Sequence, residues 1–85
     1  MNLEIITWLK DGRQRTAILK VLSNESYLPS EIANKLSLNR ASVSRILRQL
    51  KEKELVDIVT GGGRTRSYFL TKNGLTCLRQ LKRSQ

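Results

Sequence analysis

Residues 29–70, PSEIANKLSLNRASVSRILRQLKEKELVDIVTGGGRTRSYFL, hold the pattern that most constrains how this chain folds. Pro29 suits the first turn of a helix, where its missing N–H removes no hydrogen bond. Leu28 in front of it is a poor N-cap, so a slightly frayed start is expected. Ile32, Ala33 and Leu36 form an inward stripe, with Ala33 small where a second helix crosses closely. Ser37-Leu38 reads as a short turn with Leu38 tucked inward, and Asn39 as the N-cap of a second helix. In that helix Val43, Ile46, Leu47 and Leu50 recur at i, i+3, i+4 and i+7, an apolar face. At 100° per residue, Ala41, Arg45 and Arg48 fall near the opposite side, and Ser42, Ser44 and Gln49 on its flanks. The helix is expected to close near Lys53, with Leu55 opening an extended segment.

Val56, Ile58 and Thr60 then alternate with Asp57 and Val59, as the period of a strand requires. GGGRTR and the run Ser67-Tyr68-Phe69-Leu70 complete the signature of a β-hairpin, and its three glycines predict a mobile tip. Thr71 is placed to cap a last helix whose Leu75, Leu78 and Leu81 repeat every third residue, ending in a frayed KRSQ tail. Upstream, Ala17, Ile18, Val21 and Leu22 mark one face of a helix over 14–22, closed by the polar turn SNES. The segment LEIITWL, residues 3–9, is too short for periodicity to choose between helix and strand, and Gly12 interrupts it.

At 85 residues the chain is expected to be one domain, 1–85, with room for a modest core and little for a deep cleft. No apolar run approaches the ~18 residues of a membrane helix, and MNLEIITWLKDG lacks the basic start and cleavage site of a signal peptide. One Cys forms no internal disulfide, and with no His it builds no zinc site. These features predict a soluble, cytoplasmic chain with no metal and no cofactor. The lack of His also removes the usual general base. Cys77, beside Leu75 and Leu78, reads as a small semi-buried hydrophobe rather than a nucleophile, and Trp8 as a core or interface anchor rather than a ligand cage. An enzyme is not expected.

The net charge is +9 and unevenly placed. Residues 1–35 set five basic against four acidic groups, a net of +1, whereas residues 36–85 set eleven against three, a net of +8. Such clustering is the electrostatic footprint of a polyanion partner. A helix flanked by a basic hairpin is also the shape that engages both grooves of a duplex. The major groove is ~12 Å wide and admits one helix, and arginine bidentate to guanine is its commonest specific contact. Arg45 and Arg48 are placed for base edges, with Asn39, Arg40, Ser42 and Ser44 beside them. Ser42 and Ser44 suit phosphate oxygens, which position without reading sequence. Gly61-Gly62-Gly63 is no nucleotide phosphate loop, because Gly-Lys-Ser/Thr and a helix do not follow. The segment 61–66 reads better as a basic tip that brings Arg64 or Arg66 to the minor groove.

The stretch LPSEIANKLSLNRASVSRILRQLKEKELVDIV, followed by GGGRTRSYFLT and KNGLTCL, resembles the winged helix-turn-helix transcriptional regulators, nearest their compact MarR/ArsR-type prokaryotic and archaeal members. The resemblance covers Arg13 to Leu81. It rests most on Glu31-Ile32-Ala33, Val43-Ser44-Arg45, Leu55-Val56 and Leu70-Thr71-Lys72-Asn73-Gly74. It implies an α+β winged helix-turn-helix: a three-helix core, a two-stranded β-hairpin wing and a C-terminal helix. It makes 39–53 the recognition helix and the hairpin the wing. Ser37 and Glu54 stand where the family usually has glycine, and the metal-ligand Cys and His residues of its metal sensors are missing. The resulting expectation is a sequence-specific, double-stranded DNA-binding transcriptional regulator. A protein-interaction module of the same fold and a non-specific architectural or RNA-binding protein remain as alternatives. A symmetric homodimer is expected as well. One recognition helix reads only a few base pairs, and Leu3, Ile6, Trp8, Leu9, Leu75, Leu78 and Leu81 exceed what a three-helix core needs.

Overall fold

A computed structural model describes residues 3–59 and 66–83. The elements in order are α1 (Leu3–Lys10), α2 (Arg13–Leu22), α3 (Pro29–Leu36), α4 (Arg40–Glu52), β1 (Val56–Ile58), β2 (Tyr68–Leu70) and α5 (Lys72–Arg83). Thr60 and the expected hairpin tip at 61–65, which includes Arg64, lie outside the described residues, as do Ser84 and Gln85 of the expected frayed tail.

The ambiguous first segment is a helix. Ile6 and Leu9, three residues apart, are buried, and Ile5 and Trp8 pack partly against the same core. The core is therefore larger than three helices, because α1 and α5 both enter it. Helix α2 lies at its centre, touching α1, α3, α4, α5 and β2. That position explains one departure from the sequence reading. The fully buried face of α2 is Ile18, Leu19 and Leu22, while Ala17 and Val21 are only half-buried.

The helix-turn-helix forms as its sequence dictates, with one change. No side chain caps α3, yet its start is held, because Glu31 reaches back to accept from the Leu28 amide at 2.8 Å. This is the carboxylate half of a capping box, and it replaces the fraying expected from Leu28. Ser37 closes α3 in the left-handed region, and the Leu38 amide donates to the Ala33 carbonyl at 2.9 Å, turning the half-buried Leu38 inward. Asn39 caps α4, its side-chain oxygen accepting from the Ala41 amide at 2.8 Å. Val43, Ile46, Leu47 and Leu50 are all buried, each contributing about 1.5–3 kcal/mol.

The two strands pair antiparallel, Val56 with Leu70, Asp57 with Phe69 and Ile58 with Tyr68. Beyond them Tyr27 forms a bridge to Tyr68 through two backbone bonds of 3.1 and 2.8 Å, a one-residue third strand that no periodicity announces. Helix α5 is tied to the end of α4. The Thr71 hydroxyl donates to the Glu54 carbonyl at 2.7 Å and accepts from the Gly74 amide at 3.0 Å, which makes Thr71 the cap expected of it. A Cβ at Gly74 would fall 2.1 Å from the Leu55 carbonyl oxygen, so this helix meets the chain closely enough to require glycine. Of the leucine repeat, Leu78 and Leu81 are buried and Leu75 is exposed, and Cys77 is fully inside.

Ser37 and Glu54, at the two positions where the resemblance has glycine, adopt φ of 55° and 63°. A residue with a Cβ loses about 1–2 kcal/mol there, and glycine returns part of that as unfolded-chain entropy. Both side chains are exposed. Ser37→Gly and Glu54→Gly are therefore expected to stabilise the fold by about 0.5–1 kcal/mol each. In thermal melts of each variant this appears as a rise of a few degrees. A lower melting temperature in both would overturn the account of these turns.

Candidate nucleic-acid interface

Helix α4 separates its two jobs around its axis. The buried stripe occupies one side, and Ala41, Arg45, Arg48 and Glu52 are exposed on the other. Ser42, Ser44 and Gln49 are half-buried on the flanks, and Arg40 is exposed in the first turn. Six sequence-assigned residues, Asn39, Arg40, Ser42, Ser44, Arg45 and Arg48, thus come together on one helix and its cap. Asn39 spends its oxygen on the cap, which leaves its amide N–H groups as donors. Arg66 is exposed just ahead of β2. The described part of the hairpin is fixed to α4 through Leu55, whose amide donates to the Leu50 carbonyl at 3.0 Å and whose carbonyl accepts from Thr71 at 3.1 Å.

Two clefts flank α4. On the hairpin side Lys51, Glu54, Val56, Asp57, Thr71, Lys72 and Asn73 line a polar hollow of about 450 Å³. Its charges are mixed, and Asp57 already accepts from the Ile58 amide at 2.8 Å, covering one N–H of the β1 edge. On the side of α2 lies a smaller hollow of about 270 Å³, lined by Gly12, Arg13, Gln14, Arg15, Arg45, Ile46 and Gln49. Sequence reasoning missed Arg13, Gln14 and Arg15. They belong to the charge-balanced half of the chain, and nothing in a local pattern places them beside a helix thirty residues later.

Trp8 is neither wholly core nor a free surface anchor. It is half-buried, with the Arg15 guanidinium 4.2 Å and the Lys53 ammonium 4.7 Å from its ring centroid. Arg15 also donates to the Trp8 carbonyl. Cation–π contacts of this kind give about 0.5–1 kcal/mol where solvent reaches them. Here they also fix where two positive charges stand. Cys77 is buried, and burial pushes its thiol pKa up, which keeps it protonated. Among the described residues no three His, Cys, Asp or Glu side chains gather as metal ligands would, and no helix is long and apolar enough to cross a membrane.

The surplus of apolar residues at the two ends is largely consumed within the chain. Ile6, Leu9, Leu78 and Leu81 are buried in its own core, because α1 packs directly on α5. What remains outside is Leu3, 75% exposed, and Leu75, 37% exposed. Leu75 borders a hollow with Val59 and Phe69 at the hairpin, whereas Leu3 lines another with Thr7 and Trp8 on α1.

Solved structures share this architecture. ZitR of Lactococcus lactis, determined in complex with DNA, superposes with a TM-score of 0.74 at 25% identity over 82% of this chain and 49% of its own. MepR, a transcription regulator of the Staphylococcus aureus multidrug efflux pump MepA, gives 0.76 at 22% identity over 84% and 55%. A MarR family regulator from Neisseria meningitidis gives 0.76 at 24% identity over 94% and 61%. The chain thus spans about half the length of the structures it matches. No curated protein matches its sequence. The fold is a MarR-like winged helix-turn-helix. The family model described as the HVO_A0261 N-terminal domain matches residues 3–85, and the chain belongs to that family.

Proposed function

We propose that this chain is a sequence-specific, double-stranded DNA-binding transcriptional regulator that works in the cytoplasm as a homodimer and carries no catalysis. The observation that carries the reading is α4 itself: a helix held by its buried stripe that turns Arg45 and Arg48 outward. The charge of the chain agrees, with a net +8 from eleven basic and three acidic groups in residues 36–85. The likeness to ZitR, whose structure includes DNA, supports the same partner. On this reading the helix 39–53 enters the major groove. Arg48, exposed on α4, faces base edges, while Asn39, Arg40, Ser42 and Ser44 lie at the phosphates beside them. The wing 61–66 lies near the minor groove, with Arg66 exposed at its base and Arg64 in the segment outside the described residues.

Binding to duplex DNA is expected to weaken steeply with salt, by about 0.9 in log affinity per log salt for each phosphate neutralised. Mobility shifts with selected and random duplexes over a salt series measure this. A flat salt dependence, or no shift at all, points instead to a protein-interaction module. Equal affinity for every duplex, or preference for RNA, points to an architectural or RNA-binding protein.

Arg48→Ala is expected to cost about 1–3 kcal/mol on the selected site and to relax base preference at one position. Site selection from a random duplex pool, run with wild type and variant, reads this directly. Unchanged selectivity would place base readout elsewhere.

The dimer has narrower support than the sequence suggested, since only Leu3 and Leu75 of its apolar surplus stay exposed. A second copy supplies a second recognition helix about one duplex turn away, ~34 Å. Sedimentation equilibrium at micromolar concentration is expected to show twice the 9.7 kDa chain mass. A monomer that binds one half-site refutes the dimer.

A further inference from the structure

We propose that the cleft between α2 and α4 seats a backbone phosphate of duplex DNA, and that Arg45 belongs to this clamp rather than to base readout. The inference rests on the DNA-binding reading above and adds to it residues of α2, outside the helix-turn-helix and the wing.

Arginines from two helices converge there. Arg13 and Arg15 come from the first turn of α2 and Arg45 from the middle of α4, with the Gln14 and Gln49 amides between them. None of the described residues lining the hollow is acidic. Like charges that line one cleft repel one another, and an anion between them reverses the sign of that interaction. Arginine is also the side chain whose planar fork matches phosphate oxygens with two parallel bonds. The hollow, about 270 Å³, holds several waters or one phosphate group. Arg15 is already fixed by its stacking on Trp8 and its bond to the Trp8 carbonyl. Arg15 thus lines the hollow with its guanidinium held on α1, while Arg13 and Arg45 are exposed and free to reach a ligand.

The width of the major groove makes phosphate the group that meets this cleft. A helix with its side chains is about 10–12 Å across, and the groove is ~12 Å wide. Only the central exposed strip of α4 therefore looks at base edges, and whatever lies beside the helix stands over the sugar–phosphate wall. Arg13 and Gln14 lie beside it. Arg45 shares their cleft, whereas Arg48, about 60° further round the helix, lines neither flanking cleft. The two arginines of α4 thus divide the work: Arg45 positions the helix and Arg48 reads.

Arg13→Ala and Arg45→Ala test this in the full chain, titrated against a selected duplex and a random one over a salt series. Both side chains are exposed, and Trp8 fluorescence during melting checks that each variant stays folded. Each variant is expected to lose the same factor in affinity on both duplexes, with a salt slope shallower by about 0.9. Arg79→Ala, on the exposed side of α5, removes the same charge and is expected to leave the slope unchanged. Wild-type slopes in Arg13→Ala overturn the clamp. Loss confined to the selected duplex in Arg45→Ala overturns it too, returning Arg45 to base readout. A wild-type chain that shifts no duplex overturns the DNA-binding reading itself, and the assignment with it.

Discussion

The geometry of this fold hangs on one backbone crossing, where α5 passes over Leu55. Four elements end or begin there. Leu55 bonds back to α4 through its amide and forward to Thr71 through its carbonyl. Thr71 then uses its hydroxyl twice, toward Glu54 and toward the first turn of α5. Gly74 lets the two segments approach, since any Cβ there would collide with the Leu55 carbonyl. Hydrogen bonds of this kind contribute only about 1 kcal/mol each in net stability. Their value here is directional. They set the angle at which β1 leaves α4, and so where the hairpin stands relative to the outward face of that helix.

Helix α4 meets two demands that pull against each other. Its exposed side carries cations that gain from a polyanion and repel one another without it. Repulsion between exposed charges is weak, about 1 kcal/mol at 4 Å in water and screened by salt. The four buried side chains on the opposite face contribute several times that. The core therefore outweighs the cost of the face. The same ranking applies to Trp8, where Arg15 and Lys53 lay their charged groups on a ring that packs partly against the core.

Much of this was legible in the sequence, and what was not shares a physical character. Helix α4 could be read because thirteen residues hold a clean apolar period behind an asparagine cap. Thr71 could be read because a hydroxyl ahead of a periodic run has few other uses. Ser37 and Glu54 were legible as departures, being non-glycine residues at positions where resemblance asks for glycine, and both adopt left-handed backbone. Helix α1 was not, since apolar residues at 3, 5, 6, 8 and 9 satisfy both periods. The Tyr27 bridge was missed because a single paired residue has no period. Leu19 was missed because the stripe around it looked complete, and only the central place of α2 buries that extra residue.

The α2–α4 cleft was illegible for a different reason. Charge read along the chain divides this protein at residue 36, with the first part nearly neutral. Charge read in space does not respect that boundary. Folding carries Asp11, Glu25 and Glu31 to exposed positions outside the hollow and sets Arg13 and Arg15 beside Arg45. A net of +1 in the first 35 residues thus hides two arginines that line one hollow with an arginine of α4. Coulomb energy falls with distance between groups and takes no account of sequence separation. The polyanion-facing surface of a small helical domain is therefore settled by which helix ends pack together. In this chain α2 and α4 pack through a core that holds Ile18, Leu19 and Leu22 of the one and Ile46, Leu47 and Leu50 of the other, apolar residues that carry no charge at all.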